Sequence, residues 1–341
     1  MILAVVKANA YGHGAVPVSQ ALLASGAHRL GVATVEEGVA LRQAGITAPI
    51  LVMGGGIVDD LQALLAYQLT PVVPSAESVA SLARLASRGS SPMPVHLKID
   101  TGMGRLGLSP AEVRSLLDGG WPPALRLEGL MSHLASADDG DAQATEAQLS
   151  HFRAVLEDVK RRGIDLPFAH IAGSAGILGF PASHLDLVRP GLMLYGYAPG
   201  ALRSTDLRPV LTWKTQIVQV KRVSPGHAVS YGGTFVAKRP TTLAVLAVGY
   251  ADGYSRALSN RGQVLLHGHV VPVVGRVCMD LTIADVTDIP NVAPGAEAVL
   301  IGRQGSGSIS ADDLAAKIGT ISYEILAGIG PRVQRVYKET D

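Results

Sequence analysis

Lys7 ends an apolar run, Ile2 to Val6, and precedes Ala8-Asn9-Ala10-Tyr11-Gly12-His13-Gly14, a stretch of small residues too glycine-rich to continue a strand. A lysine at a strand mouth is either a solvated cation or an amine made nucleophilic by burial or a neighbouring cation, and so able to form a Schiff base. Its company decides. Lys98-Ile99-Asp100 ends another apolar run and leads into Thr101-Gly102-Met103-Gly104-Arg105-Leu106-Gly107, which spells G-x-G-x-x-G; Glu128 even lies about 20 residues further on, where a dinucleotide fingerprint has its acidic residue. The helix signal, however, comes only at Ser109, after the third glycine, whereas a pyrophosphate loop opens directly into its helix. Hydride transfer is set aside on that geometry, and Arg105 is kept as a buried-cation candidate beside Lys98.

Later strand ends add more polar groups. His133 follows the run Leu127 to Ser132, and His170 lies in Phe168 to Ala172; imidazoles there serve equally as structure or as proton-handling groups. Ser174, among Gly173, Ala175 and Gly176 at a helix start, offers a hydroxyl and neighbouring amides to a phosphate. Arg189 stands between Leu185 to Val188 and the Pro190-Gly191 break, pointing either to the mouth of a site or to a salt bridge with Asp186, and the Gly191 and Leu192 amides lie in a turn suited to an anion. Ser230-Tyr231-Gly232, Gly249-Tyr250-Ala251-Asp252-Gly253 and Cys278-Met279-Asp280 place reactive groups in glycine-flanked loops, with a packed or turn residue as the ordinary alternative for each tyrosine. His267-Gly268-His269 has no carboxylate or thiol at a convincing spacing, so no metal is expected. No G-x-S-x-G elbow points to a serine hydrolase.

These residues need a scaffold. Up to about residue 200, eight apolar runs alternate with alanine- and leucine-rich helical stretches: Ile2 to Val6, Arg29 to Ala33, Pro49 to Met53, Leu69 to Val73, Pro94 to Ile99, Leu127 to Ser132, Phe168 to Ala172 and Leu185 to Val188. Ser75 before Ala76 to Ala86, and Ser109-Pro110-Ala111-Glu112, are helix starts. Strands buried on both faces and alternating with helices predict a parallel sheet, and eight repeats predict a (β/α)8 TIM-type barrel over residues 1–203, with its site at the carboxyl ends of the strands. From 204 to 341 the valine- and threonine-rich runs and Pro-Gly, Asn-Arg-Gly and Gly-His-Gly turns predict a mostly antiparallel β domain. Helices are expected after Ser310 and over Ile321 to Ala327, and a last strand over Arg332 to Tyr337.

At 341 residues the chain has room for two cores, and 29 basic against 28 acidic residues leave no basic face for nucleic acid. A small molecule or a second copy of the chain is the expected partner. The lone Cys278 cannot form an internal disulfide. The opening residues lack a basic n-region and a cleavage pattern, and no apolar run nears the roughly 20 residues that span a bilayer; a cytoplasmic protein is expected.

Taken in order, the Lys7, Lys98–Gly107, Arg189-Pro190-Gly191, Ser230-Tyr231-Gly232, Gly249–Gly253, Cys278-Met279-Asp280 and Ser322-Tyr323-Glu324 segments resemble the signature of the alanine racemases along nearly the whole chain. The resemblance implies a pyridoxal-phosphate (β/α)8 barrel with a β domain, a homodimer, and interconversion of L- and D-alanine for peptidoglycan. It implies that Lys7 holds the cofactor and acts as one base, and that Tyr231, supplied by the other subunit, is the second. Tyr11, Ser174, Gly191, Leu192 and Tyr323 would bind the phosphate, Arg189 would face the pyridine nitrogen and His133 the ring. Arg105 and the Met279 amide, the latter also from across the interface, would meet the substrate carboxylate, with Lys98, His170, Tyr250 and Asp280 in support. In many members of that family the lysine matching Lys98 is carbamylated. Members also carry a helix and a short strand before the lysine segment, so the early start here implies an uncovered barrel flank.

The residue types suit that chemistry. Racemisation removes the α-proton from one face and returns one to the other, so two bases on opposite sides of the ring are the minimum. An arginine against the pyridine nitrogen keeps that nitrogen unprotonated and limits side reactions, and Tyr231 needs cationic or hydrogen-bonding neighbours to act as a base near neutrality. The alternatives are a racemase of other or broader specificity, such as serine, a related barrel decarboxylase, which lacks a use for the two-base pair, and a truncated cofactor-binding protein without activity.

Overall fold

The computed structural model describes residues 1–54, 61–89, 91–200, 202 and 206–338. It divides into two compact units, Met1–Ala10 with Gly14–Arg208, and Tyr11–His13 with Pro209–Asp341. The division expected between 203 and 204 lies outside the described residues.

In the first unit seven parallel strands pair in chain order: β1 (Leu3–Val5), β2 (Arg29–Val32), β3 (Ile50–Val52), β4 (Thr70–Val73), β5 (Met93–Lys98), β6 (Leu125–Met131) and β7 (Phe168–His170). Every residue of β1 to β4 is buried, as strands covered on both faces require. The eighth apolar run makes no regular strand, because Leu185 sits at φ 49° and Pro190 has no N–H to offer a ladder. It nevertheless fills the eighth place. Leu3 and Val5 N–H donate to Val188 and Pro190 O, while Asp186 and Arg189 N–H donate to Ala169 and Ala172 O. This segment therefore bridges β7 to β1 and curls the sheet into a TIM-like barrel.

Helices follow the strands, and their starts are chemically marked. Ser75 accepts the Ser78 N–H ahead of Ala76–Ala86, and Ser109 with Glu112 forms a complete capping box ahead of Pro110–Asp118; caps of this kind contribute roughly 1 kcal/mol each. The stretch between Gly102 and Gly107 is no pyrophosphate loop. The Gly102, Met103 and Gly104 amides all donate to Asp100 Oδ1, at 2.9, 2.9 and 3.2 Å, so the donors such a ligand would need are already satisfied within the loop.

After β1 the chain does something its sequence does not advertise. Ala8, Asn9, Ala10 and Tyr11 all have φ of 52–53°, one left-handed turn built from residues that carry a Cβ. The Ala10 N–H closes the turn on Val6 O at 2.8 Å. L-residues lose about 1–2 kcal/mol each in this conformation, so the surroundings must hold it.

The second unit is an antiparallel sheet in the order His269–Pro272, Gln263–Leu266, Glu297–Gln304, Trp213–Val223, Thr241–Leu246, Thr282–Asp285, with Gly307–Ile309 beside Glu297–Gln304. Val273 pairs with Ala284, so the two ends of that path meet. A small hairpin, Ala228–Val229 with Phe235–Val236, carries Tyr231 at its turn. Helices occupy Ala311–Ile318 and Ser322–Ala327, as expected. The run Arg332 to Tyr337 is not a strand. The Arg335 guanidinium instead donates to the carbonyls of Gly12, Ile329, Gly330 and Val333, and the Tyr337 hydroxyl donates to His13 O. No helix among the described residues is long and apolar enough to cross a membrane.

Candidate active site

At the carboxyl end of the first unit's strands, five basic groups share one electrostatic neighbourhood. Lys7 leaves the end of β1 and stays accessible to solvent, yet crowding by the walls and the nearby Arg105 lower its amine pKa, with Glu37 opposing. Lys98, the last residue of β5, is buried and pulled down to about 7 by desolvation, then by Arg189 and Arg105, with Asp100 opposing. His133 lies well below the usual imidazole range through burial and the positive charges of Arg189, Lys98, Arg105 and Lys7. Arg105, read from the sequence as a buried cation, is exposed on its loop; the glycines beside it keep that loop at the rim.

Arg189 is wholly enclosed and has no carboxylate partner among the described residues. Its Nη1 contacts His170 Nδ1 at 2.9 Å, and its Nη2 reaches Ser132 O, Ile171 O and His133 Nδ1 at 2.7, 3.0 and 3.0 Å. The alternative salt bridge fails because Asp186 accepts the Ala169 N–H instead. Burial pushes Arg189 down to about 9, which leaves it cationic at neutral pH. A guanidinium has only donors, so it dictates the tautomers around it: His133 and His170 must both present a bare Nδ1 and carry their proton on Nε2. His170 Nε2 then donates to His96 Nδ1 at 2.7 Å, which leaves the His96 proton on Nε2, 3.7 Å from Glu128 Oε2. Glu128 in turn accepts from Arg29 at 3.0 Å. Hydrogen bonds thus run from the Arg189 cation at the mouth to His96, whose Nε2 faces the Glu128 anion across 3.7 Å without a hydrogen bond. Desolvation lowers both His96 and His170, keeping the imidazoles neutral. Gly129 makes the room: a Cβ there would lie 2.4 Å from His96 Nδ1.

The anion-binding candidates form two groups. In the first unit, Ser174 Oγ accepts the Gly191 and Met193 N–H groups at 2.9 and 3.3 Å, gathering the hydroxyl and the 191–193 turn at one point. In the second, the Tyr11 and Tyr323 rings lie 6.0 Å apart at 46°, and burial raises the Tyr11 phenol to about 12, keeping it a hydrogen-bond donor. Tyr231 and Met279 are 70% and 53% exposed, unusual for side chains of that size. The Ser230 hydroxyl, from a residue at φ 64°, donates to Arg276 O at 2.7 Å and fixes the turn that presents Tyr231. Tyr250 N–H donates to Cys278 O and Ala251 N–H to Met279 O, while Asp280 pairs with Arg332 at 2.8 Å.

Three participants escaped the sequence reading. His96 is hidden within an apolar strand, and Glu128 matches by its spacing only the acidic position of a dinucleotide fingerprint. Glu37 carried a signal, the capping box Thr34-x-x-Glu37, whose second use depends on tertiary structure.

Likeness to known proteins extends over both units. Family models described as alanine racemase N-terminal and C-terminal domains match residues 1–199 and 210–337. The alanine racemase of Halothermothrix orenii is 49% identical over 99% of this chain and 90% of its own, and that of Carboxydothermus hydrogenoformans 44% identical over 98% and 91%. The crystal structure of alanine racemase from Bacillus anthracis with bound L-Ala-P superposes with a TM-score of 0.93 at 38% identity, covering 99% of this chain and 88% of that one. With matches spanning both units, the chain belongs to the alanine racemase family.

Proposed function

We propose that this protein interconverts L-alanine and D-alanine, with pyridoxal phosphate as cofactor and as a cytoplasmic homodimer in which Tyr231 and Met279 cross to the partner's site. The residues present suit that cofactor. An amine with a lowered pKa (Lys7), an enclosed guanidinium with no anionic partner among the described residues (Arg189), and the Ser174 hydroxyl gathered with the 191–193 turn are the groups its carbonyl, ring nitrogen and phosphate require. When bound, pyridoxal phosphate supplies an electron sink for the carbon that loses its proton.

The chain's own groups do the rest. Lys7 moves a proton on one face of the substrate carbon and Tyr231 on the other. Arg189, permanently a donor, would keep the ring nitrogen free of a proton, and His133, its Nδ1 tied to Arg189, would face the ring. Ser174, Gly191 and Leu192 would meet the phosphate, and Tyr11 and Tyr323 would donate to it as well. Arg105, from the rim, and the Met279 amide hold the substrate carboxylate. Lys98 and His170 shape Arg105 and Arg189, and Tyr250 and Asp280 support the loop around Met279. Residues 1–203 form the cofactor-binding barrel in this reading, and 204–341 the β domain.

The observation that carries the proposal is the single basic neighbourhood of Lys7, Lys98, Arg105, His133 and Arg189 at the strand mouths. The high exposure of Tyr231 and Met279 supports an intersubunit role. The test is racemisation of L-alanine, D-alanine and L-serine by purified protein with added cofactor, together with borohydride fixation located by mass spectrometry. Turnover of alanine with the label on Lys7 is expected. A label on Lys7 without turnover of any amino acid would favour the inactive-binder alternative, and a label elsewhere would refute the assignment.

A further inference from the structure

Beside Lys7 lies a carboxylate that the proposed reaction leaves unused. Glu37, in the first turn of the helix Val35–Gln43, completes a capping box with Thr34. That duty occupies one oxygen: Oε2 accepts the Ala33 N–H at 2.7 Å and the Thr34 N–H at 3.3 Å. The other oxygen reaches across to the neighbouring strand's loop and accepts the Ala8 N–H at 2.6 Å, a short, charge-assisted bond to the residue directly after Lys7. Ala8 is also the first residue of the left-handed turn, whose conformation is intrinsically unfavourable and whose opening amide is satisfied by this carboxylate. Asn9 secures the far side, its Oδ1 accepting the Ala15 N–H at 2.8 Å.

We propose that Glu37 is a positioning residue for Lys7: its carboxylate pins the left-handed turn at Ala8 to the end of β2, and places a negative charge against an otherwise positive mouth. The inference rests on the reading of Lys7 as the cofactor-binding amine, and deepens it. A side chain that only capped its helix would need no bond to Ala8. The charged and titratable groups that act on Lys7 are Arg105, which lowers its pKa, and Glu37, which raises it; His133 responds to the Lys7 charge in turn. Gln at position 37 keeps one oxygen, for either the Ala8 amide or the Ala33 and Thr34 pair, and it removes the charge. Thr34→Ala weakens the cap without touching the bond to Ala8.

The experiment measures the Lys7 amine directly in cofactor-free protein, by competitive acetylation with trace acetic anhydride between pH 6 and 11 and quantification of the Lys7 peptide. Glu37→Gln should lower the Lys7 titration midpoint by about half a unit or more, as loss of a nearby opposite charge does. Thr34→Ala should leave it in place. Equal midpoints in the native chain and Glu37→Gln, or an equal shift in Thr34→Ala, would overturn the proposal. Hydrogen exchange in the native chain keeps the idea testable if Glu37→Gln fails to fold. The Ala8 amide should be protected to the same degree as that of Ala10, and exchange of Ala8 at the rate of an open loop would also overturn it. Borohydride fixation on Lys7 in the native holoprotein reports separately on the underlying reading, so the two ideas can fail independently.

Discussion

Glu128→Gln offers the sharpest test of the buried charges in the barrel. The His96 imidazole and the Arg29 guanidinium hold Glu128 down to about 2, against an ordinary 4.5, and the side chain is only 10% exposed. A carboxylate whose folded pKa lies below its unfolded value stabilises the fold above the unfolded pKa and loses that contribution as pH falls toward the folded one. A displacement of this size corresponds to about 3 kcal/mol at pH 7, of which about 0.8 kcal/mol is gone by pH 4 and about 2 kcal/mol by pH 3. Gln cannot titrate and leaves Arg29 enclosed without an anion. Glu128→Gln should therefore lower Tm by roughly 4 °C at neutral pH, and the gap to the native protein should narrow steadily below about pH 4.5. Calorimetry of both proteins from pH 7 to pH 3 checks this. A gap that stays constant with pH, or is absent at pH 7, would refute the account.

Tyr231→Phe should retain cofactor while slowing proton removal from L-alanine far more than from D-alanine; solvent deuterium incorporation from each enantiomer reads the two faces separately, and equal incorporation would count against the assignment. Gly12→Ala forces a φ of +79° on a side chain whose Cβ would lie 2.1 Å from Leu326 O, so it should destabilise by more than the roughly 1 kcal/mol of the backbone conformation alone and weaken cofactor retention, measured by Tm and equilibrium dialysis. Lys98, with a pKa of about 7 among Arg189 and Arg105, is largely a neutral amine above neutrality. Uptake of carbon dioxide there would release one proton and create an anion between two guanidinium groups, so intact mass and 13C spectra in bicarbonate should reveal a carbamate that vanishes on acidification and in Lys98→Ala.

Much of the scaffold was legible because burial leaves a simple trace. Strands β1 to β7 lie within about two residues of the apolar runs, and Ser75, Ser109 and Ser310 mark their helices through side-chain chemistry confined to one turn. The eighth run was visible as an apolar segment but not as an irregular one, since a leucine does not announce the φ of 49° found at Leu185. The final run, Arg332 to Tyr337, has an acceptable strand pattern, yet Arg335 spends its donors on carbonyls of other segments. At the site, Lys7 and Arg189 stood out by their place at strand ends. The tautomer-setting bond from His170 to His96, with Glu128 beyond it, did not, because these residues are distant in sequence and meet only inside the closed sheet. The left-handed turn was least legible of all: Ala8-Asn9-Ala10 carries no glycine to announce it.

That turn has a consequence for how the reactive amine is kept in place. Excised as a peptide, Lys7 to Tyr11 would relax toward ordinary right-handed or extended shapes within nanoseconds to microseconds, since of these residues only Asn9 readily takes the mirror sense. The geometry beside the amine is borrowed from the walls around it. Any loosening of those walls will accordingly be felt at Lys7 before it is felt in the strands, and the earliest symptom of a failing barrel should be a drifting amine, well ahead of lost secondary structure.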